Sequence, residues 1–186
     1  MPFDFEEFMI SGLVLVRPKR FQDSRGFFVE TYKHSEFASR GINEQFVQDN
    51  YSSSQQGTLR GLHYQKAPAA QGKLVTCLRG RIYDVAVDIR RGSPFFGKWA
   101  GVELTDENGL LLYVPPGFAH GFLVLSDRAE VLYKCTQEYS PDHERGIIWN
   151  DPEIGIQWQN SAPMLSPKDK ELPFLREADM NFSYSG

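Results

Sequence analysis

The feature that most constrains the fold is the alternation of apolar and polar residues along most of the middle of the chain. Glycine, proline, asparagine or aspartate stands in nearly every gap between the alternating segments. Because successive side chains of a strand point to opposite faces, such segments are typical of β-strands. The predicted strands span residues 73–78, 81–89, 99–104, 110–114, 121–125 and 129–136. Many short strands separated by turn residues predict an all-β sandwich or barrel, and Arg79-Gly80 predicts a tight turn.

Helical signals are scarce and short. In the segment Ser35–Gly41, a serine is the predicted cap and a glycine ends the helix. In Ser166–Leu172, serine is the predicted N-cap and proline occupies the first helical position. The chain from about Leu175 onward is expected to lie over the sandwich. The sequence therefore predicts an all-β fold with a few short helices.

Composition limits the classes of protein to which the chain can belong. Its 186 residues are enough for one domain with a sizeable core. The net charge is −4 and the basic residues are scattered, so we expect neither a nucleic-acid partner nor a membrane partner. No apolar run is long enough to cross a membrane, and the acidic start Met1–Glu7 lacks the positive region of a signal peptide. Cys77 and Cys135 lie in apolar segments and are expected to be reduced, which predicts a cytoplasmic protein.

The segment Leu59–Gln65 carries the strongest chemical signal. It places His63 near Arg60 on an expected strand, and Lys73 follows ten residues after the histidine. A second histidine and a tyrosine come later, at His120 and Tyr133. Histidine accepts a proton near neutral pH, arginine binds anions, and lysine stabilises developing negative charge. Together these residue types predict proton removal next to a carbonyl on a negatively charged substrate.

A metal-binding motif is only half matched. The spacing of the second motif of cupins, which are double-sheet β-barrels that often hold a metal, is present at Gly109, Pro115, Gly117 and His120. A cupin metal site needs two histidines one residue apart, a carboxylate shortly after them and a later histidine. Here Gln65 stands in place of the second histidine of the pair that His63 would begin, and no carboxylate follows within ten residues. We therefore predict the barrel without a metal ligand set.

Five motifs resemble the dTDP-4-dehydrorhamnose 3,5-epimerase family of sugar-nucleotide epimerases. They run in order between about Gly12 and Leu172, at residues 23–30, 48–50, 60–65, 115–122 and 165–169. One departure is Tyr51, because many relatives have histidine after the asparagine that stands here at position 50. We expect this change to be peripheral.

The resemblance implies a cupin-like jelly roll and a homodimer. It implies one epimerase domain over residues 1–186, with a barrel core at about 45–140 on which the N-terminal strands and the C-terminal short helices pack. The implied substrate is a dTDP-linked 4-keto-6-deoxyhexose, inverted at C3 and C5 without a cofactor in dTDP-L-rhamnose biosynthesis. Related 3- or 5-mono-epimerases and ketoisomerases of other deoxysugar pathways look similar, so double and single inversion both remain open.

The resemblance also implies four catalytic roles. His63 is the base, and Asp169 orients it through the other ring nitrogen. Lys73 stabilises the enolate oxygen, and Tyr133 donates a proton on the opposite face of the sugar. Asp169 has a competing structural role, because it stands three residues after Ser166 and could close a capping box. One short carboxylate cannot easily serve both roles, and we favour the pairing with histidine.

Further residues match the positions that bind substrate in the family. The resemblance implies that arginines hold the diphosphate, that an aromatic ring stacks on thymine, and that polar groups line the sugar and the base. The full implied set is Arg25, Glu30, Gln48, Asn50, Arg60, Lys73, His120, Tyr139, Glu144 and Lys168. A guanidinium group suits this task because it binds phosphate oxygens through two parallel hydrogen bonds.

Two alternative hypotheses assign the chain to a different functional class. A metal-dependent cupin such as a dioxygenase requires ligands that the sequence does not supply. A non-catalytic sugar-binding barrel would bind the nucleotide without exchanging substrate protons with solvent. Such a barrel has little reason to carry a histidine, a lysine, a tyrosine and an aspartate that match four catalytic positions, so an epimerase is the favoured hypothesis.

Overall fold

The computed structural model describes residues 2–184 and is built almost entirely of β-strands. In chain order the elements are β1 (Phe3–Glu7), β2 (Val14–Pro18), β3 (Arg20–Asp23), β4 (Gly26–Val29), α1 (His34–Ala38), β5 (Gln48–Gln55), β6 (Leu59–Gln65), β7 (Lys73–Arg79), β8 (Arg81–Asp88), β9 (Trp99–Thr105), β10 (Leu111–Val114), β11 (Phe118–Val124), β12 (Arg128–Cys135), β13 (Glu144–Gly146), α2 (Pro167–Lys170) and a 3-10 helix (Leu175–Glu177). The predicted all-β architecture with a few short helices is confirmed.

Two antiparallel sheets make up the sandwich. One has six strands in the order β1-β2-β10-β7-β12-β5, and the other has five in the order β13-β6-β11-β8-β9. The β3–β4 hairpin forms a separate two-stranded sheet. The N-terminal strands β1 and β2 therefore extend the larger sheet through β10 instead of lying across it.

Apolar side chains pack in three places. The space between the sheets holds one cluster, to which Val75 and Leu112 contribute from the six-stranded sheet and Ile82 and Phe122 from the other. Helix α1 and the residues beside it, which include Ile42 and Phe46, cover the outer face of the six-stranded sheet, where Phe37 is fully buried. The C-terminal segment, with Leu175, Ala178 and Met180, covers the outer face of the five-stranded sheet. This last contact confirms that the C-terminal tail lies over the sandwich.

Both central strands of the sandwich are buried on their two faces. All seven residues of β11 and all four of β10 are buried. This burial explains why β10 is apolar throughout and why β11 is apolar apart from His120 and Gly121, since a strand covered on both sides has no solvent face to make polar.

One local prediction is confirmed and another was wrong. Gly80 makes the predicted tight turn, with a φ of +81°, and because β7 and β8 lie in different sheets this turn forms a corner of the sandwich. Helix α1 begins at His34 with Lys33 as its cap residue and no capping side chain, so Ser35 is not the cap. By contrast, Ser166 caps α2 through a hydrogen bond from the Asp169 N–H, as predicted.

Strands β6 and β11 approach each other closely at two glycines. A Cβ atom on Gly121 would lie 2.7 Å from the carbonyl oxygen of Arg60 and 3.1 Å from the Cα of Gly61. A Cβ on Gly61 would lie 2.5 Å from the Cα of Gly121. The atoms in the way belong to the backbone and cannot rotate aside. This contact sets the distance between the strands that carry His63 and His120.

We expect Gly121→Ala to lower the free energy of unfolding by about 3 kcal/mol, at the upper end for overpacking, because the new methyl group meets backbone on both sides. The melting temperature should fall by roughly 6–12 °C for a chain of this size. Gly41→Ala is the matched control, because Gly41 has a φ of +83° but open space around it, so it should cost only about 1–2 kcal/mol. Equal losses in the two variants, measured by thermal or urea unfolding, would contradict the close approach.

Candidate active site

A cavity of about 630 Å³ opens between the sheets and is lined by residues of both, together with the segment that leads into α2. It brings together eight residues of the predicted site, namely Arg60, His63, Lys73, His120, Tyr133, Glu144, Lys168 and Asp169. A smaller cavity of about 220 Å³ adjoins it and adds Gln48, Asn50 and Tyr139. Both cavities are lined by His63, Lys73, Tyr133 and Glu144. These four side chains therefore stand where the two spaces meet.

His63 forms a hydrogen-bonded pair with Asp169. The histidine lies on β6, the aspartate lies on α2, and Nε2 is 2.7 Å from Oδ1. The histidine side chain is 28% exposed and that of the aspartate is 5% exposed, so the carboxylate is in the wall and the ring faces the cavity. The Ser166 hydroxyl caps the helix by accepting a hydrogen bond from the Asp169 N–H, and the Asp169 carboxylate bonds to the histidine. The competing capping-box role of this carboxylate is thus not the one adopted.

Several hydrogen bonds keep Asp169 ionised despite its burial. Burial alone would raise the pKa of this carboxyl group. Hydrogen bonds from His63, Ser166 and the Gly61 N–H, together with the charge of the histidine, outweigh burial, and the net effect is a lowered pKa. An ionised partner on Nε2 orients the ring and leaves Nδ1 as the free nitrogen.

Lys73 and Tyr133 lie on the neighbouring strands β7 and β12. The lysine Nζ is 5.8 Å from the centroid of the tyrosine ring. Burial lowers the pKa of Lys73, while the nearby Cys135, Asp84 and Glu144 raise it by smaller amounts. Burial raises the pKa of the Tyr133 phenol, with a further increase from Cys135. The phenol therefore keeps its proton well above neutral pH, as a proton donor must.

His120 forms a second buried histidine–aspartate pair that the sequence analysis did not foresee. Its Nε2 is 2.9 Å and 3.1 Å from the two carboxylate oxygens of Asp84. Asp84 is fully buried and His120 is 6% exposed. The signal that would have found it is the alternation Ile82-Asp84-Ala86 along β8, because it places a carboxylate between two apolar residues of one face.

A chain of hydrogen bonds links the polar residues of the smaller cavity. The Tyr139 N–H donates to the side-chain oxygen of Gln48 at 2.8 Å, Gln48 donates to Asn50 at 3.0 Å, and Asn50 donates to the sulfur of Cys135 at 3.4 Å. Gln48 and Asn50 occupy alternate positions of β5, so both point to the same face. Both cysteines are free and buried, as predicted.

Glu144 joins two other residues of the predicted site. It accepts a hydrogen bond from the Tyr139 hydroxyl at 2.6 Å and forms an ion pair with Lys168. Burial raises the pKa of this carboxyl group, but the hydrogen bonds from Lys168 and Tyr139 outweigh it, so the pKa is lowered overall. The Tyr139 side chain is 54% exposed, which leaves the face of its ring accessible.

Two cations of the cavity have no carboxylate partner among residues 2–184. Lys168 is paired with Glu144, but neither Arg60 nor Lys73 forms an ion pair. Arg60 donates only to the Ser54 hydroxyl, at 3.0 Å. An anionic ligand can therefore bind without displacing a salt bridge at these two groups.

Arg25 and Glu30 do not line either cavity of their own chain. Arg25 follows β3 on the exposed hairpin, where its side chain is 88% exposed and pairs with Asp23 at 2.5 Å. Glu30 follows β4 directly. The aromatic rings on this hairpin are also largely solvent-exposed, at Phe21, Phe27 and Phe28.

Several cavity residues were missed by the sequence analysis. Most are small or polar, and they lie in β5, in the turn between β5 and β6 and in the loop before α2, namely Ser52, Ser53, Ser54, Gln55, Thr58, Met164 and Leu165. Single serines and threonines carry no distinctive spacing, so no motif marks them. Tyr51 points away from this face, is 59% exposed and donates to Glu130 at 2.6 Å. Its position outside both cavities agrees with the expectation that it is peripheral.

Within the described part of the chain, no cluster of three or more histidine, cysteine, aspartate or glutamate side chains is placed to hold a metal ion. Within the same residues, none of the helices has the length and apolar character needed to cross a membrane.

The arrangement offers three chemical functions around one space. A histidine oriented by a carboxylate can accept a proton, a buried ammonium can stabilise negative charge on an oxygen, and a protonated phenol can return a proton. Unpaired cations and an accessible aromatic ring suit a ligand that carries both phosphate and a planar base.

The chain is similar to known proteins over most of its length. The family model described as dTDP-4-dehydrorhamnose 3,5-epimerase matches residues 7–177. The chain is 48% identical over 182 residues to dTDP-4-dehydrorhamnose 3,5-epimerase of Sinorhizobium fredii, covering 97% of this chain and 93% of the relative. A relative of the same description from Neisseria gonorrhoeae is 52% identical over 167 residues, which are 89% of this chain but 51% of that longer protein.

A solved structure matches over almost the whole chain. The dTDP-6-deoxy-D-glucose-3,5-epimerase of Legionella pneumophila in complex with dTDP-4-keto-L-rhamnose aligns with a TM-score of 0.95 and 45% identity, covering 99% of this chain and 100% of that chain. The fold is the cupin-like jelly roll that the resemblance implied. A more distant relative, the dTDP-4-dehydrorhamnose 3-epimerase of Streptomyces niveus, is 39% identical over 170 residues, covering 91% of this chain and 82% of that protein. The chain belongs to the dTDP-4-dehydrorhamnose 3,5-epimerase family.

Proposed function

We propose that this protein is a cofactor-independent isomerase that inverts C3 and C5 of dTDP-4-dehydro-6-deoxy-D-glucose to give dTDP-4-dehydro-L-rhamnose, a step of dTDP-L-rhamnose biosynthesis. The observation that carries the proposal is the 2.7 Å contact between His63 and Asp169 in a cavity that Tyr133 and Lys73 also line. The epimerases of Sinorhizobium fredii and Legionella pneumophila, similar over nearly the full chain, support the same reaction.

His63 removes the proton next to the ketone. A hydrogen on carbon beside a carbonyl is acidic because the electron pair left behind spreads onto the carbonyl oxygen. With Nε2 engaged by the ionised Asp169, the free Nδ1 accepts the proton, and the carboxylate stabilises the imidazolium that forms.

Lys73 stabilises the enolate oxygen. Burial makes its charge costly and lowers its pKa, so negative charge that develops nearby is stabilised more strongly than it would be in water. The loss of such a donor costs about 10²–10³ in rate in comparable sites.

Tyr133 returns a proton to the opposite face of the sugar and so completes the inversion. Its raised pKa keeps the hydroxyl protonated at neutral pH, and the growing basicity of the enolate carbon drives the transfer. Because one ketone flanks both C3 and C5, the same set of groups can act at each carbon in turn.

The nucleotide occupies the polar part of the site. Arg60 and Lys168 hold the diphosphate, and the exposed ring of Tyr139 stacks on thymine. The linked groups Gln48, Asn50 and Glu144 line the sugar and the base. His120 binds the sugar beside Lys73.

The protein works as a homodimer in which the β3–β4 hairpin of one protomer reaches the site of its partner. This arrangement brings Arg25 and Glu30 to a substrate that they do not meet within their own chain. It also covers Phe27 and Phe28, which are 56% and 65% exposed on the single chain. Residues 1–186 act as one epimerase domain, and we place the enzyme in the cytoplasm.

A single inversion at C3 or C5, as in the Streptomyces niveus 3-epimerase, is the alternative within the same chemistry. Single and double inversion can be distinguished by incubating the dTDP-4-keto substrate with the enzyme in deuterium oxide. We expect deuterium at both C5 and C3 of the product, measured by NMR and mass spectrometry. Label at one carbon only identifies a mono-epimerase. Nucleotide binding without any label contradicts an epimerase altogether.

In the same assay, His63→Ala should abolish exchange at both carbons while the affinity for dTDP stays within about 2-fold, because the base makes no binding contact with the nucleotide. His34→Ala is the matched control, since His34 lies on the exposed helix α1 and lines neither cavity. Exchange that survives in His63→Ala shows that another group is the base.

Tyr133→Phe should slow product formation more than proton removal. Exchange of substrate protons then outpaces inversion, or the ratio of products changes, because the enolate forms but is not reprotonated from the second face. Tyr51→Phe is the matched control on the neighbouring strand, since Tyr51 faces away from the cavity. Equal exchange and inversion rates in wild type and Tyr133→Phe would remove Tyr133 from the donor role.

The shared site can be tested by mixing two impaired variants, Arg25→Ala and His63→Ala. In a heterodimer, one site combines the intact Arg25 of one protomer with the intact His63 of the other. Random exchange of subunits should therefore recover about a quarter of wild-type activity, because half the dimers are mixed and each has one intact site. No gain over the separate variants, or a monomer by light scattering, contradicts the swapped hairpin.

A further inference from the structure

The buried pair of His120 and Asp84 is not used by the mechanism described above, in which His120 only contacts the sugar. Burial of a carboxylate is costly unless it is paired. Asp84 is fully buried, and the His120 ring is its hydrogen-bond partner among residues 2–184. The Asp84 carboxylate, fully buried beside the cavity, is therefore a candidate for a functional role.

Sheet register explains how the pair forms. Strand β11 lies between β6 and β8, where His120 faces His63 on one side and Ala86 on the other. Asp84 lies two residues before Ala86 on β8, so it is a diagonal neighbour of His120 on the same face. The two histidines therefore stand side by side, and each is held by a carboxylate through Nε2.

The His120–Asp84 pair lies beside the groups that act on the substrate carbonyl in the proposed function. His120 lines the same cavity as Lys73 and Tyr133, and Asp84 is close enough to Lys73 to raise the pKa of that lysine against the effect of burial. The charged or titratable groups facing His120 are His63 from β6, Lys73 from β7, Asp84 from β8 and Tyr133 from β12. Its Nδ1 forms no hydrogen bond within the described residues, which leaves it free for a ligand.

We propose that Asp84 is a positioning residue that fixes the His120 ring with both nitrogens protonated, so that Nδ1 donates a hydrogen bond to the substrate's carbonyl oxygen together with Lys73. This inference rests on the proposed function. The bidentate contact of one carboxylate with Nε2 sets the ring orientation, and its buried negative charge stabilises the second ring proton. His120 then acts as an electrophile and not as a second base. Because the enolates of C3 and C5 share one oxygen, the pair serves both inversions.

The test is Asp84→Asn, which keeps the size of the side chain but removes its charge. We expect kcat to fall by about 10- to 100-fold with KM changed less than about 3-fold, since the lost interaction strengthens as the enolate forms. Deuterium exchange at C3 and at C5 should fall by the same factor. In a His120→Gln background, Asp84→Asn should produce no further loss, because its effect passes through the histidine.

Asp151→Asn is the matched control for a lost buried charge. Asp151 is 3% exposed, accepts the backbone N–H groups of Ile154 and Leu175, and does not line the main cavity. The Asp151→Asn variant should have a lower free energy of unfolding, while the kcat of the folded enzyme stays unchanged. An unchanged kcat in Asp84→Asn overturns the proposal, as does a loss of exchange at one carbon only, which would make His120 a base for that carbon.

A second measurement does not depend on the variant or on activity. The chain has four histidines, so nitrogen-detected NMR of the wild-type protein can resolve each ring. We expect His120 to show two protonated nitrogens at neutral pH. A neutral ring overturns the proposal even if Asp84→Asn fails to fold. If wild-type protein shows the doubly protonated ring but exchanges no substrate protons, the proposed function fails and the His120–Asp84 geometry stands.

Discussion

The hydrogen bond between His63 and Asp169 is the contact on which the rest of the site depends. It joins a central strand of the sandwich to a helix 106 residues later in the chain. The helix is short, and its first turn is held by the Ser166 cap. This cap therefore helps to place the carboxylate that bonds to the histidine.

The charges of the cavity are organised by pairing. Asp169 is matched by His63, Asp84 by His120, and Glu144 by Lys168, each at hydrogen-bond distance. The two buried carboxylates, Asp84 and Asp169, thus each have a partner, as the cost of burying charge requires. The arginine of β6 and the lysine of β7 keep no such partner within the described residues, so a chain of net charge −4 has a cavity with two unpaired positive groups.

The strands could be predicted from the sequence because a strand buried on one face alternates apolar and polar residues, and a strand buried on both faces is a continuous apolar run. The sequence also identified the cluster of His63, Lys73 and Tyr133, because these residue types stand in distinctive motifs. It failed where the outcome depends on partners distant in the chain. The tight turn at Gly80 was predicted, but neighbours from other strands decide that the next strand joins the opposite sheet. The burial of Asp84 likewise depends on β11, which lies more than thirty residues away.

The proposed mechanism requires an imidazole and a phenol to act from opposite faces of one ketosugar held between them. The most direct test is a crystal structure of the enzyme with a dTDP-4-keto-6-deoxyhexose bound. We expect a carbon next to the ketone to lie within about 3.5 Å of Nδ1 of His63 on one face and of the Tyr133 hydroxyl on the other, with the carbonyl oxygen directed at Lys73. A sugar bound outside the cavity, or with both groups on the same face, would contradict the account.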